Sequence, residues 1–235
     1  MIELKEIEIG YKKHLFSIDN IQLSKGKVYS LIGANGAGKT TFLKTLQGNH
    51  STIKGQILIN KTDVKLFERQ KLSQTIAFVN SKFDGVDYLR VSDYVGLGRT
   101  PYTNALGRLS EKDLKIIENS LDELNIKHLS NFFTTKLSDG ERQLAAIARA
   151  ISQETDIIIL DEPTAFLDYA NRKLVMKEMK KIASDHEKCI IISSHDLDLC
   201  LESETEILVI NKKTKSLEHY ISNSLSKESL IQIGF

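Results

Sequence analysis

The chain has 235 residues, 41% of them hydrophobic and 27% charged, with a formal net charge of +1. Such a chain can bury a substantial globular core, and its balanced charge gives no electrostatic footprint for nucleic acid or an anionic membrane. Its longest apolar runs hold about five residues, far short of the roughly 20 that span a membrane. The opening segment MIELKEIEIG alternates charged and apolar residues, a pattern that fits neither a signal peptide nor a transit peptide.

Two alternating segments open the chain and predict a pair of antiparallel strands. The first, residues 2–9, alternates with one slip in register, and the second, residues 16–23, alternates again. Further strands are expected at GQILIN (Gly55 to Asn60) and at TIAFV (Thr75 to Val79).

The most informative motif is GANGAGKT, Gly33 to Thr40, between the apolar run VYSLI and the helical pattern TFLKTLQG. Its glycines let successive backbone N–H groups surround a phosphate at the positive end of a helix. Lys39 can reach the β- and γ-phosphates of a nucleoside triphosphate, and the Thr40 hydroxyl can bind Mg²⁺. A Gly-rich turn can also be purely structural, but the complete motif in this setting predicts nucleotide binding. The predicted contacts here are Gly33, Asn35, Gly36, Ala37, Gly38, Lys39, Thr40 and Thr41.

From about Ser92 to Gln153 the apolar pattern becomes helical. Ser110 and Asp113 have the spacing of a capping box at the start of a helix. The apolar face expected for that helix consists of Leu114, Ile117, Leu121 and Leu124. A second helix is predicted after Ser138, a good N-cap residue.

Two continuous apolar runs follow, at residues 157–160 and 189–193, and suit strands buried on both faces of a parallel sheet. We therefore expect one α/β domain over residues 1–235, with a core at about 1–90 and 154–235 and a helical segment at about 91–153. Cys189 and Cys200 fall in an apparent strand and helix, so we expect both to pack in the core of a protein from a reducing compartment.

An acidic pair closes the first of these apolar runs, in the sequence IIILDEP. In a parallel sheet such a strand end lies beside the phosphate loop. Asp161 would then help to hold Mg²⁺, directly or through water, and Glu162 would polarise an attacking water. Alone, the pair could be a solvated acidic turn; beside a phosphate loop the catalytic interpretation is favoured.

A second candidate anion site is KLSDGERQ, Lys136 to Gln143, which lies about 23 residues before Asp161. By itself it is a polar helix start, but a helix N-terminus with Ser and Gly also binds anions.

The order of five motifs, GANGAGKT, LSDGERQ, ILDEP, AFLD and SSHD, resembles the nucleotide-binding subunit of ABC transporters over essentially the whole chain. The resemblance implies an α/β fold: a P-loop core with a mixed sheet, N-terminal antiparallel strands and a helical subdomain that carries the signature. It also implies a head-to-tail dimer that sandwiches two ATP molecules, with Mg²⁺.

The same resemblance assigns roles to residues by their place in the motifs. Ser138, Gly140 and Glu141 would form the signature that contacts ATP bound to a second copy, and Asp168 would lie at the dimer interface. His195 would contact the γ-phosphate and hold the geometry around Glu162. Tyr11 matches the aromatic residue that stacks on adenine, although a tyrosine on a strand is more often simply half-buried.

Two departures from the family pattern stand out. Asp139 replaces a glycine of the signature, where it either weakens ATP binding slightly or points outward, and Glu141 replaces the usual glutamine. In IAFVNS, Ser81 stands where the family has a glutamine that binds Mg²⁺ and the attacking water. The Ser81 hydroxyl can still serve as a Mg²⁺ ligand through water, and Asn80 is a possible substitute.

The segment GRTPY, followed by LGRLSEKD, is similar to the ATPases of iron–siderophore, haem and vitamin B12 importers. It implies transmembrane permease subunits as partners, an indirect link to a substrate-binding protein, and a peripheral location at the cytoplasmic face of the cell membrane. Another solute or an exporter is the alternative. Less favoured are a soluble ABC ATPase acting on ribosomes or DNA, which usually has fused domains or basic arms, and a module with vestigial hydrolysis.

Overall fold

The computed structural model describes residues 1–11, 13–104 and 106–221, which contain a ten-stranded sheet. Its strands are β1 (Ile2–Gly10), β2 (His14–Leu23), β3 (Lys27–Ile32), β4 (Lys54–Ile59), β5 (Thr62–Asp63), β6 (Ile76–Val79), β7 (Ile157–Leu160), β8 (Cys189–Ser193), β9 (Glu206–Asn211) and β10 (Ser216–Tyr220). They lie in the order β5-β4-β1-β2-β10-β9-β3-β8-β7-β6. The sheet is mixed, as expected.

The N-terminal half of the sheet is antiparallel. β1 pairs with β2 on one side and with β4 on the other. The slip that the sequence predicts in β1 is a bulge: Glu6 has a left-handed φ of 46°, and the pairing with β4 shifts between Lys5 and Glu8.

The other half is parallel and buried on both faces. β9, β3, β8, β7 and β6 run in the same direction. Along β7 the side chains alternate between two apolar clusters: Ile157 and Ile159 join the one that contains β1 and helix residues 42–46, whereas Ile158 and Leu160 join the one that contains the helical segment. This confirms the two-sided burial predicted from the continuous apolar runs.

The helices are α1 (Lys39–Leu46), α2 (Arg69–Ser73), α3 (Val91–Gly96), α4 (Glu111–Glu123), α5 (Asp139–Ser152), α6 (Tyr169–Asp185) and α7 (Leu197–Glu202). Short 3₁₀ turns lie at Val64–Leu66, Leu97–Tyr102, Lys127–Leu129 and Thr134–Lys136. Helices α3, α4 and α5 pack against one another, and α5 also contacts β6 and β7.

The start of α4 is the capping box that the sequence predicts, made by Ser110 and Asp113. The prediction of the apolar face of α4 is wrong at one position, because Leu114 is 55% exposed. The inward face begins instead at Asp113, which is buried, and this face continues at Ile117 and Leu121. Since consecutive helix residues are about 100° apart, burying Asp113 turns Leu114 toward solvent.

Asp113 is buried because it meets Arg99, in the GRTPY segment. The Arg99 Nε donates to Asp113 Oδ1 at 2.8 Å, and Arg99 Nη1 donates to the Ser152 carbonyl at 2.7 Å and to Glu154 Oε2 at 2.9 Å. The hydroxyl and N–H of Ser110, together with Arg99, lower the pKa of Asp113 from 3.8 to about 2. Arg99 thus joins the start of α4 to the end of α5.

Both cysteines are buried free thiols, as the sequence predicts. Burial raises the pKa of Cys189 to about 12, so this thiol stays protonated and unreactive. Among the described residues, none of the helices combines the length and apolarity needed to cross a bilayer.

Candidate functional site

The phosphate-loop, acidic and histidine candidates and Ser81 lie at one edge of the sheet. The strands β3, β8, β7 and β6 are parallel neighbours, so their carboxyl ends meet at the same edge. The phosphate loop follows β3, Asp161 and Glu162 follow β7, His195 follows β8, and Ser81 follows β6. This is the edge at which open α/β sheets bind ligands.

The phosphate loop joins β3 to α1 through two left-handed glycines, Gly36 (φ 72°) and Gly38 (φ 105°). A side chain at either position would be strained whatever the space around it. Gly38 is the N-cap of α1, and Lys39 is its first residue. The first-turn N–H groups of α1 therefore have no helical partner and can bind phosphate.

Lys39 lies inside the loop rather than in solvent. Its side chain is 6% exposed, and its Nζ donates to the Gly33 carbonyl at 2.8 Å. The same Nζ lies 3.2 Å from His195 Nε2 and 4.0 Å from Glu162 Oε1. Burial lowers the pKa of Lys39, while the carboxylates of Glu162 and Asp161 act in the opposite direction. The ammonium is thus held where phosphate oxygens would enter.

A chain of hydrogen bonds joins Thr40 to both acidic residues. The Thr40 hydroxyl donates to Asp161 Oδ2 at 2.8 Å, and the Ser193 hydroxyl donates to Asp161 Oδ1 at 2.7 Å. The Glu162 N–H in turn donates to Ser193 Oγ at 2.8 Å. Asp161 and Thr40 thus bring a carboxylate and a hydroxyl oxygen together, and these are the oxygen ligands that Mg²⁺ takes. The residues present fit this metal.

Glu162 has an unusual backbone for a non-glycine residue, with φ at 49°. Its carboxylate Oε1 lies 2.5 Å from His195 Nε2, so the two side chains form a pair above the phosphate loop.

A cavity of about 220 Å³ opens at this point and is lined by residues 35–41, Leu15, Glu162 and His195. The predicted signature residues Ser138, Gly140 and Glu141 are not among its described lining residues, and neither is Asp168. The structure therefore brings together the phosphate-loop, acidic and histidine candidates, and leaves the signature candidates outside.

The signature turn, residues 138–141 at the start of α5, lies outside the cavity and packs on the AFLD loop of the same chain. A Cβ atom at Gly140 would lie 3.3 Å from the Phe166 carbonyl oxygen, so the absence of a side chain permits this close contact. Asp168, at the end of that loop, is the N-cap of α6, and its Oδ1 accepts the Asn171 N–H at 2.8 Å. Ser138 and Asp168 are both exposed.

Tyr11 is 61% exposed, and its hydroxyl lies 2.8 Å from His50 Nε2, with the two rings edge to face. The half-buried alternative is therefore not what the structure shows, while stacking on adenine stays a prediction. Ser81 is half-buried, and Gln143 of α5 donates to the neighbouring Asn80 carbonyl at 3.3 Å. A metal-binding role for Ser81 or Asn80 also stays a prediction.

Sequence reasoning missed Ser193 and His50. Ser193 is fully buried and bonds to both Asp161 and Glu162. A serine that closes the apolar strand CIIIS two residues before His195 was the available signal. His50 gave none, because it meets Tyr11 across 39 positions of the sequence.

A larger groove of about 780 Å³ lies between the core and α5. Its walls include the apolar side chains Val64, Phe67, Leu72, Ile76 and Phe78, and its charged lining residues are Lys65, Arg69 and Arg149.

A family model described as ABC transporter matches residues 16–165. The achromobactin transport ATP-binding protein CbrD of Dickeya dadantii is 34% identical over 215 residues, which covers 91% of this chain and 80% of CbrD. The molybdate import ATP-binding protein MolC of Haemophilus influenzae is 33% identical over 199 residues, 85% of this chain and 74% of MolC. A metal-chelate type ABC transporter in an inward-facing conformation has a chain with a TM-score of 0.83 and 29% identity, covering 99% of this chain and 87% of its own.

Proposed function

The chain belongs to the ABC transporter family as an ATP-binding, ATP-hydrolysing subunit, and on that premise we propose that residues of the 220 Å³ cavity carry out hydrolysis with Mg²⁺. The observation that supports this most is the convergence of Lys39, Glu162 and His195 within 4.0 Å of one another. Mg²⁺ held by Thr40 and Asp161 would neutralise phosphate charge.

The protein's own groups would then supply position and proton transfer. Lys39 and the loop N–H groups bind the phosphates, and Glu162 orients an attacking water and accepts its proton. His195 holds the Glu162 carboxylate through Nε2 and would contact the γ-phosphate. Ser193 is a positioning residue, since its hydroxyl links Asp161 to the backbone of Glu162.

The experiment is Glu162→Gln, which keeps the shape of the side chain and removes the base. We expect ATP binding to persist and turnover to fall by roughly 10²–10⁴-fold. Glu187→Gln is the matched control, because Glu187 is exposed and has the same left-handed φ of 49°. Near-normal turnover of the Glu162→Gln chain would rule out this role.

We further propose that each complete site needs two copies of the chain, arranged head to tail. One copy offers the cavity, while Ser138 and Gly140 of the other copy would cover the γ-phosphate. The exposed position of Ser138 and Asp168, outside the cavity of their own chain, supports this arrangement. A twofold symmetric pair would then form two sites at once.

The groove of about 780 Å³ is proposed as the docking site of a permease, at the cytoplasmic face of the membrane. Its apolar walls and its cations Lys65, Arg69 and Arg149 fit a short cytoplasmic segment with an apolar face and acidic residues. The Arg69→Glu chain should retain ATP binding and lose transport, whereas Lys177→Glu on the exposed face of α6 should retain both. Equal transport in the two variants contradicts this docking site.

For the transported solute, we propose import of a metal chelate: an iron–siderophore complex, haem or cobalamin, delivered by a substrate-binding protein. The GRTPY segment and the similarity to CbrD and to the metal-chelate type transporter support this class. MolC favours an oxyanion as the alternative. Cells that lack this chain should lose uptake of radiolabelled iron chelate and keep uptake of molybdate; the opposite result contradicts the proposal.

A further inference from the structure

In the signature turn, the hydrogen-bond donors of Ser138 bind a side chain of the same turn. Ser138 is the N-cap of α5, and Glu141 lies three residues later. The Ser138 N–H and the Ser138 hydroxyl both donate to Glu141 Oε2 at 2.8 Å, and the Glu141 N–H donates back to Ser138 Oγ at 3.3 Å. One carboxylate oxygen therefore occupies both donors of the serine.

This arrangement conflicts with what a phosphate would need. A γ-phosphate is an acceptor, so Ser138 can bind it only by donating its hydroxyl or its N–H. The Ser138 N–H and hydroxyl lower the pKa of Glu141, with His128 of the neighbouring 3₁₀ turn acting in the same direction, so Glu141 is ionised at neutral pH. A carboxylate and a phosphate then compete for the same donors and also repel each other.

We propose that Glu141 is a positioning residue that holds Ser138 closed, and that the ATP sandwich forms only when Glu141 releases it. The inference rests on the proposed two-copy site. In the free chain the bonds between Ser138 and Glu141 are already formed, and breaking them costs free energy. Glu141 would therefore raise the protein concentration at which two copies close over ATP.

Asp139 provides the contrast within the same helical turn. Its carboxylate pairs with Arg142, which also donates to the Leu137 carbonyl at 2.7 Å. The contacts described for Asp139 do not include Ser138. Removing the charge of Asp139 or of Glu141 thus changes the net charge of this turn equally, but only Glu141 acts on the Ser138 donors.

The experiment measures ATP-driven dimerisation by light scattering in the full chain carrying Glu162→Gln, which binds ATP without consuming it. Adding Glu141→Gln replaces a carboxylate acceptor by a weaker neutral one, and should lower the concentration of half-dimerisation by about three- to tenfold. Adding Asp139→Asn should change it by less than about twofold. Adding Glu141→Asp should leave it near the parent value, since an aspartate closes the equivalent box at Ser110.

Thermal unfolding of the nucleotide-free chain separates this role from a structural one. Glu141→Gln weakens a helix cap and should lower the Tm slightly while it strengthens the dimer. A purely structural residue would shift both in the same direction. If Glu141→Gln leaves dimerisation unchanged or weakens it, or if Asp139→Asn matches it, the inference is wrong. A Glu162→Gln parent that stays monomeric in ATP instead contradicts the two-copy site itself, and the inference with it.

Discussion

The helical segment contains two capping boxes with the same local geometry and different surroundings. In both, a serine N–H and hydroxyl donate to one carboxylate oxygen three residues later, in Ser110–Asp113 and in Ser138–Glu141. Asp113, in what we call the buried box, is buried and its second oxygen binds Arg99, whereas Glu141, in the exposed box, is only half-buried; both serines are exposed. The three-residue spacing is enough to form the serine–carboxylate bonds. How easily they break should depend on how deeply the carboxylate is buried.

We expect the largest change in activity from a substitution of Ser138, in the exposed box. Ser138→Arg puts a bulky cation where a second copy's phosphate would lie, and should lower hydrolysis at least about 100-fold while nucleotide binding by the single chain persists. The control is Ser110→Ala, which removes the equivalent serine from the buried box. Its hydrolysis per folded chain should stay near normal. Comparable loss in both variants would show that the two boxes do not differ in function.

The next effect falls on the buried box and concerns stability. Asp113→Asn removes the carboxylate that accepts from Arg99 Nε, leaves Arg99 paired with Glu154, and should lower the free energy of unfolding by about 2 kcal/mol. Glu141→Gln, at the more exposed box, should lower it by no more than about 1 kcal/mol. Urea unfolding of the nucleotide-free chains measures both, and equal losses would contradict the difference in environment.

The buried carboxylate of Asp113 should also make the stability of the chain depend on pH. Asp113 has a pKa of about 2 in the folded chain against an ordinary 3.8. Its stabilisation is therefore complete above about pH 4 and is lost as the pH falls toward about 2, an amount on the order of 2 kcal/mol. Asp113→Asn should remove this part of the acid sensitivity. An unchanged pH profile in that variant contradicts the bonding of Asp113.

The smallest effect tests the local equality of the two boxes. Ser110→Ala and Ser138→Ala each remove one cap hydroxyl, and each should lower the free energy of unfolding by about 1 kcal/mol. Urea unfolding at neutral pH measures the two losses. A much larger loss for Ser138→Ala would show that the exposed box, too, is held by tertiary contacts.

Features set by neighbouring residues could be predicted from the sequence. The phosphate loop, the two-sided strands and both serine caps depend on spacings of a few residues, and the structure has them at the predicted places. The burial of Asp113 could not be predicted, because its partner Arg99 lies 14 positions away and belongs to another element. The outward turn of Leu114 follows from that same distant pair.

In the candidate site, too, some features could be predicted from the sequence and others depend on distant contacts. Its residue types were readable in the motifs, and the parallel order of the strands brings Asp161, Glu162 and His195 to one edge. The end of the apolar run CIIIS indicates the position of Ser193, but its bonds to Asp161 and Glu162 and the left-handed backbone of Glu162 depend on the fold.

We have proposed that a complete catalytic site needs the Ser138 turn of a second copy. The most direct test is the ATPase rate per chain of the isolated protein, measured over a dilution series with light scattering on the same samples. We expect the rate per chain to fall with dilution, in step with the loss of dimer, because a monomer holds only the phosphate-loop half of each site. A rate per chain that stays flat down to dilutions at which scattering shows only monomer would contradict the claim.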